Sequence, residues 1–315
     1  MPLFDFLKGK IAKAEERAAD SKSKSPSLQF EQFSKEWQQL VGQDNFDGFR
    51  MEAGKSITPN LQASHSLILG TALRESGYLY QFGPTFQSAD GKSFITARAG
   101  IDGVINGRLG FKPSANSDVK LNISSSIKEA QRNAFEAEIG LLAQSSAQSL
   151  KIVHQGTWIL NGSYSREITD NLWLGTDLTY IPMNGVSLIN YGARYVSGPH
   201  AVSANLGQQP DFKSRNPLDS STSLKCQYVK KISDRLSLGV ELETNFPERD
   251  SSMKLGYDYT FRQARVQGLL DSSGKVSCFV SDMTGFGVSG MIDYIKGDYK
   301  FGFMMHVVPQ PESTI

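Results

Sequence analysis

Leu236-Ser237-Leu238-Gly239-Val240-Glu241-Leu242-Glu243-Thr244 alternates apolar and polar residues almost without a break. Successive side chains of a β-strand point to opposite faces, so the leucines and valine share one face, while Ser237, Gly239, Glu241 and Glu243 share the other. The same script runs through Leu172-Trp173-Leu174-Gly175-Thr176-Asp177-Leu178-Thr179 and Met253-Lys254-Leu255-Gly256-Tyr257-Asp258-Tyr259. Alternating runs follow one another from about Phe46 to Val308, broken by Gly, Asn, Asp and Ser, and about nineteen strands of roughly ten residues can be placed there. One face of each must be dry and the other wet.

Two architectures accommodate such a pattern. A soluble sandwich of that many strands would normally divide into two domains joined by a linker, and no linker is visible after Phe46. No run of eighteen apolar residues exists, which excludes a membrane helix but not a barrel, whose spans need only about ten alternating residues. Tyr78, Tyr80, Tyr180, Tyr191, Tyr195, Tyr257, Tyr259, Phe261 and Tyr299 near strand ends suit interfacial aromatic girdles. The sequence therefore predicts an all-β transmembrane barrel over residues 46–308. Gln208–Asp219, with Pro210 and Pro217, reads as a longer loop, and residues 309–315 as a tail.

Residues 1–45 read as a helical extension. Leu3, Leu7, Ile11, Ala14 and Ala18 recur at helical spacing among charged residues. A Ser/Lys linker, Ser21 to Ser25, is closed by Pro26. Ser27 then stands where an N-cap is expected, before a second helix whose Phe30, Phe33, Trp37, Leu40 and Val41 line one stripe and which Gly42 ends. The opening Met1-Pro2-Leu3-Phe4-Asp5-Phe6 predicts no secretory signal, and Glu15, Glu16 and Asp20 argue against a cleaved transit peptide.

Composition narrows the function. A net charge of +1 in 315 residues predicts no affinity for nucleic acid. The two cysteines, Cys226 and Cys278, fall on apolar faces of separate strands and read as small apolar filler, not as a disulfide. Gly285-Phe286-Gly287-Val288-Ser289-Gly290 has the letters of a dinucleotide fingerprint, but strand, not helix, follows it, so the glycines read as hairpin residues. Gly48 to Gly54-Lys55-Ser56 has one residue too many for a phosphate loop. His65, His154, His200 and His306 are scattered, and no zinc site, triad, cofactor or enzymatic activity is expected. Glu241 and Glu243 on one wet strand face read as solvated charges in preference to an acid–base pair.

Specific stretches add to this. Gly48-Phe49-Arg50-Met51-Glu52, Leu61-Gln62-Ala63-Ser64-His65-Ser66-Leu67 and Tyr80-Gln81-Phe82-Gly83 open the barrel. Gly256-Tyr257-Asp258-Tyr259-Thr260-Phe261-Arg262-Gln263-Ala264-Arg265-Val266-Gln267-Gly268-Leu269, Asp271 to Ser277 and Gly297-Asp298-Tyr299-Lys300-Phe301-Gly302-Phe303 close it. These resemble the pore-forming subunit of the mitochondrial outer-membrane protein translocase. The resemblance implies a nineteen-stranded barrel with parallel pairing of first and last strands, and passage of unfolded precursor proteins made in the cytosol. It also implies docking of single-span receptor and small helical subunits on the outer wall, and association of barrels within a complex. Lys300, Gly302, Met305 and Val307 resemble the family's insertion signal, and the resemblance favours the Phe30–Val41 helix inside the barrel, its Phe/Trp stripe against the wall, over a helix on the membrane surface or against a partner subunit.

If the apolar face meets lipid, the wet face lines a pore, and the wall must close because unpaired backbone groups are not tolerated in hydrocarbon. Strand parity puts Arg98, Arg108, Lys120 and Lys225 in the lumen with Glu136, Glu138, Asp177, Glu241, Glu243, Asp258 and Asp271. Basic residues are expected to dominate early strands and acidic ones later strands, Lys254 and Arg265 excepted. An acidic wall would offer weak, spread sites to a basic targeting sequence, and weak sites suit a conduit. The reading set against this is a voltage-dependent anion channel passing metabolites, whose lumen should be more uniformly basic. A soluble carbohydrate-binding β protein is the rival from another class.

Overall fold

The computed structural model describes residues 27–42, 46–70, 77–114, 116–128, 133–210, 220–246 and 249–307. The first expected helix, the Ser/Lys linker and residues 309–315 lie outside these. Nineteen strands make one closed sheet. The first eight are β1 (Gly48–Thr58), β2 (Leu61–Leu69), β3 (Tyr78–Gln87), β4 (Ser93–Gly100), β5 (Val104–Ser114), β6 (Ser117–Ser126), β7 (Ala134–Leu142) and β8 (Ser146–Gln155). Next come β9 (Thr157–Thr169), β10 (Leu172–Ile181), β11 (Val186–Ser197), β12 (His200–Pro210), β13 (Ser220–Ser233), β14 (Leu236–Asn245), β15 (Asp250–Thr260) and β16 (Ala264–Asp271). The last are β17 (Lys275–Asp282), β18 (Phe286–Asp293) and β19 (Asp298–Val307).

Each strand pairs antiparallel with its sequence neighbour, and β1 closes the ring by pairing parallel with β19, from Gly48↔Gly302 to Ala53↔Val307. An odd number of strands forces this: a ring of strictly alternating directions must contain one like-directed pair. At that seam a Cβ on Gly302 would lie 2.3 Å from the Phe46 carbonyl oxygen, so the entering chain passes where only glycine fits. The fingerprint-like glycines are a hairpin, as read: Gly285 takes a φ of 97° in the turn before β18. The start of the expected Gln208–Asp219 loop is corrected, because residues 208–210 belong to β12 and Pro210, its last residue, pairs with Ser220; residues 211–219, with Pro217, lie outside the described residues. A proline at a strand's terminus removes no ladder bond from the strand's interior.

The two faces follow the alternation. Leu174, Leu178 and Tyr180 of β10, Leu238 and Leu242 of β14, and Leu255 and Tyr257 of β15 point outward and are exposed in the isolated chain. A continuous apolar exterior of this kind requires lipid, since a water-soluble chain does not present such a surface. Cys226 and Cys278 share that outer face and remain free thiols.

Between Ser27 and Gly42 the expected single helix is two pieces. Phe30–Gln32 form a 3₁₀ turn, and α1 spans Lys35–Val41. Ser27 caps neither, and the break falls at Phe33 and Ser34. Gly42 does end α1: a Cβ there would meet the Gln38 carbonyl oxygen at 2.5 Å. Seven residues are too few to hold helical structure in water, so α1 owes its form to what it packs against.

Candidate functional site

The helical segment lies on the inner wall, against strands β9 to β16. Phe33, Trp37 and Leu40 are 1%, 6% and 2% exposed, and the last two form a core with Val229. Burying each such side chain contributes about 1.5–3 kcal/mol. The wall is thinned to receive them. A Cβ at Gly175 or Gly192, which face each other on β10 and β11, would fall 2.8 or 2.6 Å from the Phe30 ring. At Gly239 and Gly256, opposite each other on β14 and β15, it would meet Trp37 at 3.0 Å and Leu40 at 2.3 Å. Two cross-strand glycine pairs thus seat three apolar side chains.

Polar wall residues complete the seat. Gln267 Nε2 donates to the carbonyls of Gln39 at 3.0 Å and Leu40 at 3.2 Å, and Arg265 reaches the Gln39 carbonyl at 3.3 Å. These are carbonyls that a helix leaves without partners at its C-terminal end. Ser165 Oγ donates to the Leu28 carbonyl, and Arg194 of β11 forms an ion pair with Glu36 of α1. Phe30, Phe33, Trp37 and Leu40, read from sequence as an inner stripe, are therefore all at the wall.

Every lumen position named from parity occupies the inward face, but the charges are arranged as pairs. Glu241, 4% exposed, accepts from Gln227 at 2.6 Å and from Lys254 at 2.9 Å. Glu243 lies 3.6 Å from Lys225 and 3.8 Å from Lys254. Asp258 receives both arms of the Arg265 guanidinium, at 2.9 and 2.7 Å. Glu138 meets Lys120 at 3.1 Å, and Glu136 meets Lys151 at 2.7 Å. The expected division into basic early and acidic late strands is thus corrected. Glu136 and Glu138 sit early, Arg194, Lys225, Lys254 and Arg265 sit late, and opposite charges face each other across strand pairs such as Lys120↔Glu138 and Glu241↔Lys254.

Of the lumen acids named from sequence, two have no cation within 4 Å among the described residues. Asp177 accepts from Asn161 at 2.7 Å and Asn190 at 3.1 Å, and Asp271 accepts from the Ser273 backbone N–H and hydroxyl in the turn after β16. Across the lumen, Arg98 and Arg108 line a recess of about 630 Å³ in the wall of β3 to β8. Lys300 and Gly302 face inward on β19, and Met305 and Val307 face outward.

Arg50, Lys151, Arg194 and Gln267 were not singled out from sequence. Their inward parity was readable, as was the pairing of Arg50 with Glu52 two residues on; the partners of Arg194 and Gln267 were not. Arg194 and Glu36 are 158 residues apart, and Gln267 and Gln39 are 228 apart. Inward glycines in otherwise alternating strands were the available sign that something packs there.

A family profile described as eukaryotic porin matches residues 27–302. A probable mitochondrial import receptor subunit TOM40-2 of Arabidopsis thaliana is 26% identical over 306 residues, covering 92% of this chain and 93% of its own. The mitochondrial import receptor subunit TOM40 of Saccharomyces cerevisiae is 24% identical over 297 residues, covering 84% of this chain and 72% of its own. Among solved structures, a triple-mutant porin of Rhodopseudomonas blastica is 11% identical at a TM-score of 0.40, covering 70% of this chain and 90% of that one, which is too distant to argue from.

Proposed function

This chain belongs to the eukaryotic porin family, and from that premise we propose that it is a protein-conducting channel of the mitochondrial outer membrane, admitting unfolded precursor polypeptides. The observation that carries this is the lumen wall, in which opposite charges pair across β6–β8 and again across β14–β16, so that the lining is of mixed sign. A conduit for polypeptide must let side chains of either charge pass without stalling, and spread, half-compensated sites do this. A metabolite anion channel favours a uniformly basic lining. The relatives named as import receptor subunits, matched over most of the chain, support the same reading.

For the acidic track the pairing refines the proposal. Glu241 and Glu138 are largely spent on Lys254 and Lys120. Asp177, Asp271 and the more loosely held Glu243 are the carboxylates most available to a basic targeting segment, with Glu136 and Asp258 reached only by displacing Lys151 and Arg265. Lys225 restrains Glu243 from one side. Single-span receptors and small helical subunits would dock on the apolar exterior, and barrels would associate within a complex. Residues 1–45, 46–308 and 309–315 would serve as extension, barrel and tail, with Lys300, Gly302, Met305 and Val307 read by the insertion machinery.

Reconstitution of the chain in a planar bilayer tests the central claim. Cation preference together with interruption of the current by a basic presequence peptide supports the conduit. Anion preference with no interruption by the peptide points instead to a metabolite porin.

A further inference from the structure

We infer that Arg98 and Arg108 form an anion-binding recess that takes the carboxylates of acidic segments of a polypeptide in transit. This rests on the protein-conduit reading and deepens it.

The two arginines project from adjacent strands on the inward face. The register Thr96↔Arg108 and Arg98↔Asn106 sets them diagonally across the β4–β5 pair, within reach of one ligand. Most inward cations of the wall are answered: Arg50 by Glu52, Lys120 by Glu138, Lys151 by Glu136, Arg194 by Glu36, Lys225 and Lys254 by Glu243, and Arg265 by Asp258. Among the described residues Arg98 and Arg108 have no carboxylate within 4 Å and stand side by side, whereas Lys231 and Lys300, also without one, stand singly. The acids whose charges act on the two arginines, Glu52 on Arg98 and Glu136 on Arg108, are engaged by Arg50 and Lys151.

Two like charges side by side repel each other, and their arrangement is stabilised by an anion between them. A guanidinium presents a planar fork that matches a carboxylate bidentately. Asn106 beside the arginines adds an amide in the same recess, where Asn122 is hydrogen-bonded to Glu136 and the Thr96 hydroxyl donates to Thr85 at 3.3 Å. Its volume, about 630 Å³, admits several side chains at once. Among the described residues the helical segment lies mainly against β9 to β16 and lines no part of this recess. The acidic residues of β14 to β16 lie roughly half the ring away, so a chain carrying both signs meets a complementary wall on each side.

The test uses the full chain in a planar bilayer with three peptides of equal length: one rich in glutamate, one rich in lysine and one neutral. For the unsubstituted channel, the glutamate peptide is expected to dwell longer than the neutral one. In the Arg98→Gln/Arg108→Gln variant, the ratio of glutamate-peptide to lysine-peptide dwell times should fall about tenfold or more, as loss of charge-assisted hydrogen bonds implies. Arg98→Lys/Arg108→Lys keeps the charge but not the fork and should fall between. Channel openings by each variant establish that its barrel has formed. An unchanged ratio in the glutamine variant overturns the recess. A lysine peptide that never interrupts the unsubstituted channel, while the glutamate peptide does, strikes the conduit reading and leaves the recess standing.

Discussion

The halves of the wall are written in the same alternating code and end in different states. From β9 to β16 the inward face is covered, and its small and polar residues are matched to a guest: glycines to rings, Gln267 to carbonyls, Arg194 to Glu36. From β1 to β6 no contact with the helical segment is seen among the described residues, and β7 and β8 meet only its edge at Gln29 and Glu31. The charges of this half are matched to each other or, at Arg98 and Arg108, to no carboxylate within 4 Å among the described residues. Polar residues on a barrel's wet face thus do two jobs. Where they meet protein they fix geometry, and where they meet water they set the field that a passenger crosses.

The largest expected effect comes from removing the central anchor of the covered half. Trp37→Ala deletes a ring buried between Gly239 and Val229, and such deletions cost about 3–5 kcal/mol. The cost falls on docking of α1, not on the barrel. Hydrogen exchange at the Leu40 and Val41 amides should accelerate by at least about a hundredfold while strand amides hold their protection. Uniform acceleration over β1 to β19 would mean that the segment and the wall form one unit, and the distinction between halves would fail.

Overfilling the seat is the next probe. Gly256→Leu puts branched carbon where Leu40 already sits, at a cost of about 1–3 kcal/mol. Gly162→Ala, whose added Cβ meets nothing within 4 Å, is the matched control. Cysteine cross-linking between the exposed position 39 of α1 and wall position 237, which line one recess, should drop in the first and persist in the second. Equal cross-linking in both would show that the glycine pairs are incidental to the seat.

These contrasts mark what was legible beforehand. Alternation identified the strands, and parity identified the inward face, because both are local properties of two or three neighbouring residues. The stripe of Phe30, Phe33, Trp37 and Leu40 was equally local. What escaped were relations between distant residues. Parity says that Glu241 and Lys254 face the lumen, but only the β14–β15 register brings them to 2.9 Å. The break between the 3₁₀ turn and α1 escaped for a related reason: the rings must reach glycine pairs on β10–β11 and on β14–β15, and an unbroken two-cap helix was read from propensities that ignore the wall.

Of the acidic residues, Glu241 and Asp271 separate structural from conducting roles. Glu241→Gln removes the anchor of Lys254 and leaves that ammonium to Glu243, so we expect a loss of about 1–2 kcal/mol of stability, read as a lower urea midpoint of the barrel in micelles. Asp271→Asn should leave the midpoint nearly fixed and shorten the dwell of a basic presequence peptide. Were Glu241→Gln to alter dwell with no change in midpoint, its carboxylate would belong to the passenger's path after all.

The smallest effect on stability is expected in the half from β1 to β8, at Glu136. Its pair with Lys151 is part-exposed, with side chains 30% and 27% accessible, and a lumen full of water and salt screens it, so Glu136→Gln should change the barrel's stability by less than about 1 kcal/mol. Its electrostatic effect should be the opposite in size. Glu136 shares the recess with Arg108, and neutralising it frees Lys151 and removes an acid that offsets Arg108. The reversal potential in a salt gradient should move toward anions and the glutamate peptide should dwell longer, both against an unchanged unfolding midpoint. A midpoint that falls as far as it does for Glu241→Gln would show that charges on this half of the wall hold the barrel together as firmly as those near the seat.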